Sequence, residues 1–163
     1  MSEEKIREVL ESVAPLLVDG SPHAVALGLK IDQLEPDHII MRAPYSPDLV
    51  GDPETGILHG GVVTALLDHA CGLAAFAGLG AQDTPATLDL RIDYMRPAEP
   101  GLDVIAEAST VRAHGLVVFV RATAHDGDRD DPVAIAQAAF MVTKASQAAT
   151  ERAKKAFGQG ETT

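Results

Sequence analysis

The amino-acid sequence predicts an α+β domain in which one long apolar helix packs against one antiparallel sheet. Residues 57–81 form the longest apolar stretch of the chain, and its length favours a helix over a strand. Residues 87–95 alternate between apolar and polar side chains, which is typical of a half-buried strand. From residue 102 to residue 143, short apolar segments are separated by turns, as in an antiparallel sheet. One apolar helix and one sheet cover each other's faces in an α+β layer arrangement.

One helix, two strands and a loop are expected before the long helix. Residues 4–18 carry apolar side chains at the spacing of one helix face. These positions are Ile6, Val9, Leu10, Val13, Leu16 and Leu17. Strands are expected at residues 24–34 and 37–44, with a hairpin turn at Glu35-Pro36-Asp37 between them. Residues 45–58 are rich in Pro, Asp and Gly, and this composition predicts a loop.

The long apolar helix is expected at residues 59–78. Its apolar run is long enough to be mistaken for a membrane span. Asp68 and His69 interrupt the middle of the run and glycines lie at both ends, which favours a helix buried in a domain and no membrane partner. Cys71 is the one cysteine, so an internal disulfide is excluded, and it is expected to be a small core residue.

Four strands are expected after the long helix. In residues 87–95, the apolar members of the alternation are expected to share the face that turns to the core. They are Leu88, Leu90, Ile92 and Tyr94. The other strands are expected at 102–112, 116–125 and 132–143, joined by turns at 113–115 and 126–131. The tail from Lys144 is expected to form at most a weak helix.

Length and charge bound the class of protein. The 163 residues predict one domain, and 46% of them are hydrophobic, which is enough for a core. The formal net charge of −11 makes nucleic acid a poor partner, because its phosphates repel an acidic surface. The charged first residues show no secretory pattern and the chain has one cysteine, which together favour a cytoplasmic protein.

The residues that carry chemistry lie where the loop runs into the long helix. They are His59-Gly60-Gly61 and, nine positions after the histidine, Asp68. Glycines allow a ligand to approach the backbone closely. The first N–H groups of a helix have no partner within it and lie at the positive end of its dipole, where a carbonyl oxygen gaining negative charge would be stabilised. A carboxylate among Val, Leu and Ala costs free energy unless it is hydrogen-bonded or functional.

This pattern resembles the His-Gly-Gly…Asp signature of hotdog-fold acyl-CoA thioesterases of the PaaI type, in the 4-hydroxybenzoyl-CoA thioesterase superfamily. Residues 87–98 are similar to that family's central strand, and the resemblance covers roughly residues 24–143. It implies a helix wrapped by a curved sheet, hydrolysis of an acyl-CoA to a free acid and CoA, and a homo-oligomer that is a dimer of dimers. Residues 1–20 are then an N-terminal helix, 21–143 the hotdog domain and 144–163 a polar tail.

The resemblance implies that Asp68 is the catalytic carboxylate, either as the base for water or as the nucleophile. It implies that the Gly60 N–H lies on the thioester carbonyl oxygen. His59 and Gly61 would touch the substrate or shape the turn into the helix, and the shaping role is favoured for His59. The alternative for Asp68 is a structural carboxylate bonded to Thr64 one turn back.

Five further residues are candidates. Thr87 matches a position at which related enzymes carry a Ser or Thr that helps to hold the attacking water, although threonine is also ordinary in a strand. Asp52 lies where many relatives have an Asn that positions substrate or water, in a loop that is one residue longer here. Arg96, Arg112 and His114 are candidates for the CoA phosphates because loops near strand ends could present them, and solvated surface charge is the alternative.

No metal or redox cofactor is expected. The six histidines and the cysteine show no spacing typical of a metal site. The acidic turn from Asp126 lacks the central glycine and the closing glutamate of a calcium loop. Two other functions stay open beside the thioesterase: a non-catalytic acyl-CoA-binding hotdog module, and a hydratase or dehydratase, for which no acid–base pair with a histidine stands out.

Overall fold

Three α-helices and eight strands make up residues 2–142, the part of the chain that the computed structural model describes. In chain order they are α1 (Glu3–Asp19), α2 (Pro22–Ala26), β1 (Lys30–Leu34), β2 (Ile39–Ala43), a 3₁₀ turn (Pro47–Leu49), β3 (Val50–Asp52), β4 (Ile57–Leu58), α3 (Gly60–Gly78), β5 (Ala86–Tyr94), β6 (Val104–His114), β7 (Val117–His125) and β8 (Ala134–Met141). The tail from Lys144 lies outside the described residues.

Six strands form one antiparallel sheet in the order β1-β2-β6-β7-β8-β5, and β3 and β4 form a separate two-stranded ribbon. The long helix α3 packs on β2, β6 and β7. Many sheet residues that face it are alanines, and small side chains allow a helix and a sheet to approach closely. They are Ala106, Ala108, Ala122, Ala124, Ala136 and Ala138. The predicted α+β arrangement of one helix on one antiparallel sheet is confirmed.

The helix α3 is the core helix of this domain. Its length and mean hydropathy would also suit a membrane span, but 61% of the most apolar window is buried inside the fold. Cys71 is buried in it, as predicted. The predicted N-terminal helix is also present as α1, whose Leu10 packs on Phe76 and Ala77 near the end of α3.

The predicted strand at residues 24–34 is wrong in its first half. Residues 22–26 form the short helix α2, because Ser21 caps its first turn and a proline follows the cap. Gly28 then reverses the chain with a φ of +66°, a conformation that favours glycine. The strand β1 therefore begins only at Lys30.

The predicted loop at residues 45–58 contains regular structure. The strands β3 and β4 pair within it, with Val50 opposite Leu58 and Asp52 opposite Ile57. Of the turn residues that suggested a loop, Pro53 and Gly56 lie in the connection between these strands, whereas Pro47 and Asp48 belong to the 3₁₀ turn and Gly51 and Asp52 belong to β3. As a result, the chain enters α3 from a hydrogen-bonded ribbon.

The strand β5 departs from simple alternation at its start. Thr87 pairs with Phe140 of β8 and Asp89 pairs with Ala139, so Leu88 is an extra residue between them, a β-bulge. The bulge leaves Leu88 60% exposed and places Thr87 on the face that meets α3. The prediction that Leu88 shares the buried face is therefore wrong.

The remaining strands differ from the predictions only at their ends. The strand β6 continues to His114 because Gly115, with a φ of +59°, closes the turn to β7 later than expected. The last strand is shorter than the predicted 132–143 and ends at Met141. The acidic turn at 126–131 joins β7 to β8 as predicted.

Candidate active site

His59 caps the first turn of α3. Its Nδ1 atom accepts a 2.9 Å hydrogen bond from the Gly61 N–H, and its own N–H donates to the Leu49 carbonyl oxygen at 2.9 Å. A Cβ atom on Gly61 would lie 2.9 Å from that Nδ1 atom, and one on Gly51 would lie 2.9 Å from the His59 Cα atom. His59 therefore shapes the turn into the helix. Because the cap occupies the Gly61 N–H, that donor does not face a substrate.

The Gly60 N–H is the open donor at this helix end. Gly60 is exposed and is the first residue of α3, so its N–H has no acceptor within the helix. No other acceptor lies within hydrogen-bonding distance of it among residues 2–142. This donor, at the positive end of the helix dipole, is able to polarise a carbonyl oxygen.

Tyr94 holds the same turn from the sheet side. Its hydroxyl donates to the Gly60 carbonyl oxygen at 2.8 Å and lies 2.6 Å from the Thr64 hydroxyl. Thr64 donates to the same carbonyl oxygen at 3.1 Å. The alternation in residues 87–95 predicts that Tyr94 lies on the core-facing side of β5, but Tyr94 was not among the predicted site residues. That core-facing position was the one sequence signal for the contact between Tyr94 and Gly60.

Asp68 lies about two turns further along α3 and is half-buried. The Thr87 hydroxyl donates a 3.0 Å hydrogen bond to its Oδ1 atom. The predicted bond from Thr64 to Asp68 is absent, because the Thr64 hydroxyl bonds to the start of the helix instead. The neighbouring His69 lies 3.1 Å from the Ala65 carbonyl oxygen through its Nδ1 atom.

A cavity of about 210 Å³ lies beside Asp68 and Thr87, and we call it the Asp68 cavity. Most of the rest of its lining is apolar. These residues are Leu17, Val18, Gly72, Leu73, Pro85 and Phe140, and the polar His69 and Thr84 complete the lining. Cys71, although close in sequence, is not a nucleophile for this site. Burial, with a smaller contribution from the charge of Asp68, raises the pKa of its thiol to about 12.

Asp52 turns its carboxylate into its own loop. Its Oδ1 atom accepts from the Glu54 N–H at 3.1 Å and its Oδ2 atom accepts from the Thr55 hydroxyl at 2.8 Å. These bonds lower the pKa of the Asp52 carboxyl, with Thr55 as the largest cause. Asp52 makes no hydrogen bond to Asp68 or Gly60 within the described residues.

Arg96 is part of an ion-pair network. Its two terminal nitrogens donate to both carboxylate oxygens of Asp126 at 2.7 and 2.6 Å, and its Nε atom lies 2.8 Å from a carboxylate oxygen of Asp131. The Asp126 bonds raise the pKa of Arg96 and hold the pKa of Asp126 well below its usual range. Arg96 thus ties the segment after β5 to the turn after β7 and is not a free phosphate ligand.

Arg112 and His114 are exposed near the end of β6, and neither side chain has an ion-pair or hydrogen-bond partner among residues 2–142. The strand register places His114 in the same cross-strand row as Ala86, three strands away, next to the row of Thr87. Both residues therefore lie at the Thr87 end of the sheet. Within residues 2–142, no group of three His, Cys, Asp or Glu side chains could hold a metal ion.

A family model described as the thioesterase superfamily matches residues 55–133, which include Gly60, Asp68 and Thr87. The medium/long-chain acyl-CoA thioesterase YigI of Salmonella typhimurium is 32% identical over 148 residues, 83% of this chain and 94% of that protein. The chain belongs to the thioesterase superfamily.

Solved structures show that this thioesterase-superfamily chain has the hotdog fold that the sequence resemblance implied. A Shewanella oneidensis protein described as related to the thioesterase superfamily has a TM-score of 0.78 at 32% identity, with coverage of 87% of this chain and 100% of that one. The PaaI protein of Escherichia coli has a TM-score of 0.75 at 16% identity, with coverage of 85% and 96%. At that identity the likeness to PaaI shows the fold alone.

Proposed function

We propose that this chain is a cytoplasmic enzyme that hydrolyses acyl-CoA thioesters to a free acid and CoA. The observation that carries the proposal is the Asp68 carboxylate, bonded by Thr87 beside a mostly apolar cavity. A carboxylate oriented by a neighbouring hydroxyl is suited to taking a proton from water. The YigI relatives, about 30% identical, are named acyl-CoA thioesterases.

In the proposed reaction the Gly60 N–H donates to the thioester carbonyl oxygen, and Asp68 takes a proton from a water molecule. The water oxygen bonds to the carbonyl carbon, the C–S bond breaks, and the CoA thiolate leaves and is protonated. If Asp68 attacks the carbon itself, an acyl–aspartyl anhydride forms, and water then hydrolyses it to the same products.

Gly60 and Asp68 of one chain are too far apart to serve one carbonyl. Both lie on the single helix α3, eight positions apart. At 1.5 Å per residue, that spacing is about 12 Å along the helix axis. An attacking group has to lie within about 3.5 Å of the carbonyl carbon. We therefore propose that Asp68 of one subunit acts on a thioester held by Gly60 of the partner subunit.

The strand β5 provides the edge through which two subunits would pair. It ends the six-stranded sheet, and exposed apolar side chains lie along and just beyond it. They are Leu88, Tyr94 and Met95, with exposed fractions of 60%, 50% and 54%. An exposed apolar edge strand is a ready template for pairing with another chain.

Pairing through β5 would also complete the site. Thr87 marks the end of β5 next to Asp68, and Tyr94 marks the end next to Gly60. Antiparallel pairing of two β5 strands about a two-fold axis near their midpoint would place each end opposite the other end of the partner. Thr87 and Asp68 of one subunit would then face Tyr94 and Gly60 of the partner subunit.

A second contact would join two such dimers. Val111, Phe119 and Ile135, on the sheet face away from α3, have exposed fractions of 56%, 48% and 37%. Exposed apolar patches of this kind are typical of interfaces. We propose the dimer of dimers on this ground, and we propose Arg112 and His114 as contacts of the CoA phosphates.

The direct test is release of CoA from a panel of acyl-CoAs, from acetyl to palmitoyl, followed with a thiol reagent in the presence and absence of EDTA. The proposal expects turnover of at least one substrate and no effect of EDTA. Tight binding without turnover across the panel would favour the acyl-CoA-binding module instead.

A further inference from the structure

The peptide unit between Gly60 and Gly61 is held at both of its ends. At one end, the His59 Nδ1 atom accepts the hydrogen bond of the Gly61 N–H at 2.9 Å. At the other end, the Gly60 carbonyl oxygen accepts from the Tyr94 hydroxyl at 2.8 Å and from the Thr64 hydroxyl at 3.1 Å. We call this set of contacts, from His59, Tyr94 and Thr64, the Gly60–Gly61 clamp. It fixes the peptide plane that directly follows the open Gly60 N–H.

The two hydroxyls of the clamp also contact each other, because the Tyr94 and Thr64 oxygens are 2.6 Å apart. Each hydroxyl has one proton to donate. If one hydroxyl donates to the other, the second still donates to the Gly60 carbonyl oxygen, and otherwise both protons lie on that oxygen. Every arrangement of the two protons therefore leaves a donor on the Gly60 carbonyl oxygen.

Tyr94 reaches the clamp from a rigid part of the sheet. It is the last residue of β5 and pairs with Ala134 of β8, and the Met95 N–H that follows donates to the Val133 carbonyl oxygen at 2.9 Å. The ring of Tyr94 also lies against Gly60, since a Cβ atom added to Gly60 would be 3.8 Å from the ring Cε1 atom. The sheet thus helps to fix the first turn of α3.

The first turn of α3 needs this support because it begins with two glycines. Glycine has more backbone freedom than any other residue, and helix ends fray. A donor stabilises the charge of a transition state best when its direction is fixed in advance, because it then does not have to reorient during the reaction.

We propose that Tyr94 and Thr64 are positioning residues for the Gly60 N–H: their hydroxyls hold the Gly60 carbonyl oxygen and so keep the N–H directed at the thioester carbonyl oxygen. This inference rests on the proposed thioesterase function. It gives β5 two roles in the site, since Thr87 at one end bonds Asp68 and Tyr94 at the other end bonds Gly60.

The kinetic test compares single variants with the wild type on the best acyl-CoA. Tyr94→Phe should lower kcat about tenfold and change KM less than about twofold, because the Gly60 N–H acts on charge that develops in the transition state. Thr64→Val should lower kcat less, since Tyr94 still donates, and Thr64→Ser, which keeps the hydroxyl, should stay near wild type. Tyr45→Phe is the matched control, because the Tyr45 hydroxyl also donates to a glycine carbonyl oxygen, that of Gly56, at 2.9 Å. Its kcat should stay near wild type.

A double-mutant cycle with Gly60→Pro separates positioning from an independent structural effect. Gly60→Pro removes the donor that Tyr94 is proposed to orient, and on its own it should lower kcat about 10²- to 10³-fold. In that background, Tyr94→Phe should change kcat less than about twofold. A loss of about tenfold from Tyr94→Phe in both backgrounds would show that Tyr94 does not act through the Gly60 N–H and would overturn the inference.

Hydrogen–deuterium exchange tests the clamp without catalysis. Residues 60–66 should exchange at least about fivefold faster in Tyr94→Phe than in the wild type, and Tyr45→Phe should exchange like the wild type. If the wild type hydrolyses no acyl-CoA, the thioesterase proposal fails, and exchange alone decides whether the hydroxyls hold this turn. Unchanged exchange in Tyr94→Phe, or a wild-type kcat for Tyr94→Phe in an active enzyme, overturns the inference. These two measurements remain decisive if Gly60→Pro does not fold.

Discussion

The Thr87 hydroxyl donates a hydrogen bond to Asp68 only because the β-bulge at Leu88 moves Thr87 to the face of β5 that meets α3. Without the extra residue, the alternation that points Leu90, Ile92 and Tyr94 towards α3 would point Thr87 away from it. The observed register places Thr87 on the α3 side, 3.0 Å from the Asp68 Oδ1 atom. Bulges commonly re-aim a side chain in this way next to active sites.

Replacing Asp68 with asparagine should remove the proposed base without changing the shape of the site. Asp68→Asn is expected to fold and to lose roughly two orders of magnitude or more in kcat, in line with general acid–base catalysis. The measurement is kcat on the best acyl-CoA, with circular dichroism as the check on folding. Asp89→Asn, an exposed carboxylate change on the same strand as Thr87, is the control and should stay near wild type. Near-full turnover in folded Asp68→Asn would make Asp68 merely structural.

The Thr87 hydroxyl is proposed to position the Asp68 carboxylate. Thr87→Val keeps the shape of the side chain and removes the donor, and we expect kcat to fall about tenfold, the effect of losing one hydrogen bond to a charged group. Thr87→Ser keeps the hydroxyl and should restore most of the rate. A Thr87→Ser protein as slow as Thr87→Val would show that the packing of the methyl group, and not the hydrogen bond, matters.

The helix-and-sheet arrangement was predictable because hydrophobic periodicity is strong in α1, α3 and the later strands. The first half of the 24–34 segment was not, because its apolar residues do not distinguish a strand from the short helix that Ser21 caps. The bulge at Leu88 was also not predictable from the alternation of apolar and polar residues, because only the register between β5 and β8 shows that Leu88 is an extra residue.

The candidate site was predictable where one element carries it. His59 and Gly60 lie at the start of α3 and Asp68 lies further along the same helix, so one sequence motif contains all three. The contacts of Tyr94 with Gly60 and of Arg96 with Asp126 join residues 34 and 30 positions apart, and only the folded chain shows them. For this reason Arg96 looked like a free phosphate ligand, although it is already paired.

A charge on the β5 edge should separate the subunits. Leu88→Glu would place one carboxylate from each subunit close to the proposed two-fold contact. It would also remove two apolar leucine side chains from that contact, so the contact would weaken. Light scattering at micromolar concentration should show a smaller assembly than the wild type, and activity should fall in parallel. Leu102→Glu alters a leucine that is 46% exposed outside the β5 edge and should change neither property. A wild type that is monomeric and fully active would contradict the shared site.

The Arg96–Asp126 pair should make stability depend on pH in acid. Because hydrogen bonds from Arg96 hold the Asp126 pKa below its usual value, the pair contributes fully above the unfolded pKa of about 4. The contribution is lost as the pH falls towards the lower folded pKa. Asp126→Asn is expected to lower the free energy of unfolding by about 2 kcal/mol at neutral pH.

Urea unfolding of the wild type and Asp126→Asn at a series of pH values measures this difference. It should shrink as the pH falls below about 4, because unfolding then lets Asp126 take up a proton, while the carboxylate of the folded wild type stays ionised down to its lower pKa. Asp130→Asn, in the same turn but exposed, is the control and should have little effect at any pH. A difference that is constant between about pH 6 and pH 2 would contradict the assignment.

The central claim is that each site takes Asp68 from one subunit and Gly60 from the other, and mixing two inactive proteins tests it most directly. One protein is Asp68→Ala. The other is Gly60→Pro, which removes the N–H donor at the first helical position, where proline is well tolerated. His59, which precedes it, already has a ψ of 133°, a conformation that a residue before proline prefers. Circular dichroism has to show that both variants fold.

If subunits exchange at random, half of the dimers contain one copy of each variant, and one of the two sites in such a dimer has both native groups. The account predicts that roughly a quarter of the wild-type CoA release returns on mixing. If both groups of a site came from one chain, every site would still carry a defect. No recovery of activity, with subunit exchange demonstrated by native mass spectrometry, would contradict the account.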